Sequence, residues 1–335
     1  MDNKEKKISS SSVDIEKNPS SAEPMSYMNQ MAEKSERGIS AAASAAAINV
    51  LTRKDKMKSY RKHPGSLALL ILVILAAVIT VAILVFLIGY ILVNGIPHLS
   101  LSMFEWEYTT ENVSMMPAII NTITMVAVSL VIAVPLGLFS AIYLVEYAGR
   151  GNKLVKVIRV TAETLAGIPS IVFGLFGSLM FGISLHLGYS MLSGALTLAI
   201  MVLPTILRTS EEALKSVSDS YREGSFGLGA GRLRTVFRIV LPSAVPGILA
   251  GIILAIGRIC GETAALIYTS GTVAGIPDSL LDSGRTLAIH MYALYSEGLY
   301  MDEANATAVV LLVMVILINA LSAFIARRFG NKTED

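Results

Sequence analysis

The chain has 335 residues, of which 53% are hydrophobic and 16% charged, and a formal net charge of +2. Soluble domains carry about a quarter charged residues, and several runs here exceed about 18 apolar positions, so a soluble globular class is excluded and an α-helical integral membrane protein is expected. One cysteine, Cys260, rules out an intrachain disulfide, and four scattered histidines with no Cys or carboxylate cluster offer no metal site.

Residues 1–62 are rich in Ser, Lys, Glu and Ala and have few large apolar groups. They cannot bury enough surface to offset their ordering entropy and are expected to form a disordered cytoplasmic tail, with a short Ala-rich helix over 39–51. Its first apolar run begins only near Leu67, too late for a secretory signal. The membrane domain is expected over 63–330, with spans at 67–93, 116–144, 158–185, 190–207, 245–269 and 304–326, and a cytoplasmic tail at 331–335. Pro135 falls in the second span, and Pro169 interrupts the Gly-rich third, which carries Glu163 near its start.

Placing the N-terminus inside puts all but two of the 27 Lys and Arg residues in cytoplasmic segments, the exceptions being Arg258 and Arg285. This asymmetry predicts six spans with both termini inside. The outside loops are acidic, with Glu105, Glu107 and Glu111 in one and Asp278, Asp282, Glu297, Asp302 and Glu303 in the other. They offer either a solvated face or a surface for a basic partner.

The segment 208–246 is a charged insert between apolar runs, too long for a turn, and is read as a docking element. Ser210 is expected to cap a first helix, and Ser220 a second, with Glu223 completing a capping box. Gly227, Gly229 and Gly231 then break it. A further helix follows, with Leu233, Val236, Phe237 and Val240 on one face and its end at Leu241–Pro242.

Within the insert, Glu223, Gly224 and Ser225, followed by Gly229, Ile239, Leu241 and Pro242, keep the spacing E-A-A, three residues, G, nine residues, I, one residue, L-P. This resembles the EAA loop of binding-protein-dependent ABC importer permeases, of MetI-like fold. It departs at Gly224 and Ser225, where the family prefers Ala, which lowers helix propensity. The resemblance implies a cytoplasmic coupling helix, between the fourth and fifth of six spans, that docks in a groove of an ATP-hydrolysing subunit.

A second stretch, Arg258, Gly261, Glu262, Thr263 and Ala264, matches R-x-x-G-E-T-A and is similar to the phosphate importer permeases of the PstA type, as are 286–292 (TLAIHMY) and 144–147 (LVEY). The resemblance covers about 65–330. It implies a partner set of a homologous permease (PstC type), two ATPase subunits (PstB type) and an extracytoplasmic phosphate-binding protein (PstS type), in a bacterial plasma membrane.

Arg258, about 13 residues into its span, is expected near mid-membrane, where an arginine is costly and marks a functional site by default. Glu262 is expected one turn further along the same face, at i+4. Two roles are open: the pair neutralises itself and fixes packing, or Arg258 offers its planar fork to a transiting oxyanion while Glu262 holds it between events. Arg258, Glu262 and Thr263 are the expected pathway residues, with Gly257 and Gly261 allowing close helix approach.

There is no G-x-x-x-x-G-K-[ST] loop and no nucleophile–base pair in the sequence. The chain is therefore expected to be neither an enzyme nor a cofactor binder, ATP being used by partner subunits. The rival readings are a permease for another oxyanion such as molybdate or sulfate, an ion-coupled secondary transporter or channel, and a membrane enzyme. A transporter working alone leaves the docking insert unexplained.

Overall fold

The computed structural model describes residues 64–149 and 151–330. The expected tails at 1–62 and 331–335 lie outside the described residues. The chain divides into two units, Met1–Ile83 and Leu84–Asp335, and the packing below is that of the second.

All regular structure among the described residues is helical. Helix α1, Pro64–Gly95, is uncharged throughout and starts on a proline, whose missing N–H costs nothing at that position. After two short 3-10 turns, α2 runs over Met116–Ile142 and continues through a π turn, Tyr143–Tyr147. Helix α3, Lys153–Ala166, is capped by the Asn152 side chain. Helix α4 covers Ser170–Gly177 and runs into a π turn, Ser178–Ser184. Helix α5, Met191–Ser216, is capped by Ser190, whose hydroxyl accepts from Ser193 N.

Next come α6, Asp219–Gly227, and α7, Arg232–Thr235, which passes through a π turn, Val236–Val240, into α8, Leu241–Cys260. Beyond it are the short α9, Ala264–Ile267, then α10, Leu287–Glu297, and α11, Met301–Gly330.

Among the described residues five helices are long and apolar enough to cross a membrane, and six crossings result if α3 and α4 together make one. These two meet at 105°, so the third expected span, 158–185, is not straight. Gly167 and Pro169 account for the break: the proline has no N–H to donate and forces Ile168 out of helical geometry.

The fourth and fifth expected spans also shift. Helix α5 does not stop at 207 but continues unbroken to Ser216, with Ser210 buried inside it rather than capping a new helix. Helix α8 stops at Cys260 and not at 269.

A central apolar core joins α2, α5 and α8 through Met125, Ala133, Leu198, Val202, Ala255 and Ile259. Phe173 of α4 and Leu266 of α9 close its sides. A second core lies at the end of the bundle that carries the loop, where Ile142, Leu214, Val217, Val236, Val240 and Ala244 meet. Small residues set the α5–α8 distance. A Cβ on Gly247 would sit 2.7 Å from that of Ala213, and one on Gly251 would overlap Thr209.

Candidate functional site: the loop and the interrupted helix

The polar insert is shorter than its charges imply, because Arg208 to Ser216 prolong α5. Glu211, 6% exposed, is held there by Arg159 of α3 at 2.5 Å and by Lys215 one turn on at 2.6 Å. An acid satisfied from two sides lets the helix carry charge out of the apolar layer without ending. A cavity of about 370 Å³ opens beside this group, lined by Arg159, Glu163, Arg208, Glu211 and Lys215 among others.

The loop proper begins at Val217. The capping residue of α6 is Ser218, whose hydroxyl accepts from Ser220 N; the expected cap at Ser220 lies within the helix. Arg222 fastens the loop to the bundle. Its Nε and Nη2 both donate to Glu146 Oε1, at 3.1 and 2.7 Å, from α6 to the π turn that ends α2. The same guanidinium donates to the carbonyls of Leu214 and Val217, at 2.9 and 2.7 Å, and to Asp219 at 3.1 Å. The pair is largely buried, with side chains 14% and 8% exposed. One side chain thus ties α2, the last carbonyls of α5 and the loop together.

Ser225 and Thr235 share a buried hydrogen bond of 2.8 Å that closes α6 against α7. The turn between them needs Gly229, whose φ of +80° a side chain rarely adopts. Glu223 and Gly224 are exposed, and Glu223 has no ion-pair partner among the described residues. Of the expected apolar face, Val236 and Val240 are buried while Leu233 and Phe237 stay exposed. With Tyr221, Phe226 and Leu228 they give the loop an uncovered apolar surface.

Nothing lies within 4 Å of a Cβ on Gly224. The Gly224→Ala change should therefore stabilise α6 by up to about 1 kcal/mol through helix propensity. Thermal unfolding of the purified permease should show a rise in midpoint and no loss of transport.

Leu241–Pro242 does not end the helix. From Arg232 to Cys260 the chain is one continuous 29-residue helix. Pro242 would collide with the carbonyl four residues back in a regular helix, and the π turn at Val236–Val240 widens the ladder there. Ile239, Leu241 and Pro242 are half-buried along this stretch, and Leu241 packs on the second core.

At its other end α8 stops early. Gly247 lies against Ala213 and Gly251 against Thr209, so an antiparallel one-for-one register puts Arg258 level with about Val202, near the middle of α5. The expected neighbour of Arg258 differs. Gly261 ends the helix, and Glu262 is not on the same helical face. It turns inward, 9% exposed, and its Oε1 accepts from Ala265 N at 3.1 Å, at the start of α9.

Arg258 and Glu262 form no ion pair, and among the described residues Arg258 has no carboxylate partner. Thr263 is half-buried in the connection, and its hydroxyl caps nothing. The flank around Arg258 is bare: Leu254 is 62% exposed, and a Cβ on Gly257 would meet nothing.

Sequence reasoning missed the Arg222–Glu146 and Arg159–Glu211 pairs. The one available signal was an acid, Glu146, at the end of an otherwise apolar run.

The family model described as the binding-protein-dependent transport system inner membrane component matches residues 133–335. The probable ABC transporter permease protein YqgI of Bacillus subtilis (strain 168) is 34% identical over 281 residues, 77% of this chain and 94% of that protein. The phosphate transport system permease protein PstA of Pasteurella multocida (strain Pm70) is 34% identical over 242 residues, 68% of this chain and 82% of that protein. Among solved structures, a bacterial ABC transporter involved in the import of the acidic polysaccharide alginate superposes with a TM-score of 0.58 at 17% identity. The match covers 81% of this chain and 98% of that one, a likeness of fold.

Proposed function

The chain belongs to the family of binding-protein-dependent transport system inner membrane components, and from that premise we propose that it is the permease subunit of an ATP-driven importer of inorganic phosphate. The continuous helix Arg232–Cys260 carries this reading. It starts at the exposed loop and ends at an unpaired arginine beside a bare flank, so motion of the loop reaches a guanidinium at mid-depth. Phosphate is favoured by the R-x-x-G-E-T-A stretch and by a relative whose name gives phosphate transport.

In this reading the loop end faces the cytoplasm, with both termini. The apolar surface of Tyr221, Phe226, Leu228, Leu233 and Phe237, with Glu223 beside it, docks on an ATPase subunit. A second, homologous permease covers the flank at Leu254 and Gly257, and the pathway forms between the two. A second ATPase subunit and an extracytoplasmic phosphate-binding protein complete the assembly. The chain itself binds no nucleotide and carries out no chemistry. Arg258 receives the oxyanion, Glu262 shapes the turn beside it, and Thr263 lines the path.

Co-purification from native membranes, followed by ATPase measurements with phosphate, sulfate and molybdate, tests the reading. Stimulation by phosphate is expected, and stimulation by sulfate alone would replace phosphate as the substrate. The Gly229→Asp change should cut phosphate-stimulated ATPase activity at least tenfold while the permease stays in the membrane. The positive φ is strained by any side chain, and the added charge falls on the docking surface.

A further inference from the structure

A second unpaired arginine lies at the opposite end of the bundle from the loop. Arg285 is 5% exposed, and its Nε and Nη2 have no acceptor. The Tyr108 ring covers one face of the guanidinium, 4.6 Å from its centroid, which orients the charge without neutralising it. The acidic residues of this end do not reach it: among the described residues no carboxylate pairs with Arg285. Glu105 instead accepts from Asn112, and Asp282 from Ser279 N. A buried guanidinium left without an anion is among the costlier groups a fold can hold.

Further donors without partners adjoin it in the chain. Arg285 and Thr286 sit at the N-terminus of α10, an eleven-residue helix. The Thr286 hydroxyl is 1% exposed, caps nothing and has no partner. Of the first four N–H groups of the helix, Leu287 N donates to Thr122 Oγ1 and His290 N to the Thr286 carbonyl. Those of Ala288 and Ile289 have no acceptor among the described residues. His290 is fully buried with its ring edge-on to Tyr108, and burial, with the Arg285 charge, pushes its imidazole down to about 3, against a smaller upward pull from the Val113 carbonyl. It is therefore neutral at physiological pH and adds no second positive charge. Val113 itself has φ +45°, a conformation that is unusual for a β-branched residue and that collects at functional positions.

We propose that Arg285, the Thr286 hydroxyl and the N-terminus of α10 form a second anion-binding station, built for a small oxyanion. A guanidinium, a hydroxyl and free backbone N–H groups are the donors that suit a tetrahedral oxyanion. The burial favours a small ion over a protein carboxylate. Arg285 and Thr286 are buried, so an ion reaches them only when a neighbouring segment moves; the adjoining 271–284 is held by Met191 N on the Asp282 carbonyl at 2.9 Å and Ser283 Oγ on the Ser270 carbonyl at 2.7 Å. The station rests on the proposed function only for the identity of its anion.

The test is equilibrium binding of labelled inorganic phosphate to the assembled permease complex, without binding protein or ATP, with sulfate and chloride as competitors. In an Arg258→Gln background one phosphate site should remain. Adding Arg285→Gln should weaken it at least tenfold, with Arg285→Lys intermediate. Thr286→Val, which keeps the charge, should weaken it about threefold and serves if Arg285→Gln does not assemble. Unchanged binding in Arg285→Gln, or in Thr286→Val where that variant stands in, would overturn the station, as would no residual site in the Arg258→Gln complex. Binding of sulfate in preference to phosphate would keep the station and remove phosphate as the proposed substrate.

Discussion

Arg222→Gln is expected to abolish coupled transport while leaving the permease in the membrane. The change removes both bonds to Glu146 Oε1 and leaves that carboxylate, 8% exposed, without its cation. Losing one partner of a buried pair costs about 3–5 kcal/mol. The cost falls on the joint between the loop and α2, since the central core lies elsewhere. Substrate uptake and substrate-stimulated ATP hydrolysis should both fall at least tenfold in reconstituted vesicles, with subunit assembly reduced less. Glu146→Gln should do the same, because it leaves the guanidinium without a counter-charge. Wild-type coupling in both variants would mean that the pair holds nothing that moves.

Arg258→Gln has the second large expected effect. No ion pair is broken, since Arg258 has no carboxylate partner among the described residues, so folding and assembly should be little changed. Uptake of phosphate should fall at least a hundredfold, about 2.7 kcal/mol of lost stabilisation, in keeping with a bidentate charged contact. Arg258→Lys keeps the charge but not the fork and should retain an intermediate rate. Initial rates of labelled phosphate uptake at matched permease levels decide this. Full uptake by Arg258→Gln would remove the residue from the path.

The crossings of the membrane were legible because apolar length is a one-dimensional signal. The loop was legible because its glycines and its LP pair keep fixed spacings. What the sequence hid was where helices stop. The charges at 208–216 look like the start of a loop, yet Arg159 and Lys215 satisfy Glu211 and the helix goes on. The apolar run 245–269 looks like one helix, yet Gly261 ends α8 and a short turn leads into α9. Hydropathy does not register such a stop, because both halves are apolar. The expected pairing of Arg258 with Glu262 failed for the same reason, since i+4 means one face only while the helix lasts. The Arg222–Glu146 tie joins residues 76 apart, which no local pattern encodes.

The early stop of α8 also sets an electrical sign. The C-terminal end of a helix carries roughly half an elementary negative charge on its unbonded carbonyls. Arg258, within the last turn, reverses it to a net positive of about the same size. A neutral side chain there does more than delete a contact: it returns the spot to the polarity of bare carbonyl oxygens, which repel an oxyanion and welcome a cation. On the proposed reading, the early stop of α8 makes one arginine the difference between a permeation route for anions and a resting place for cations.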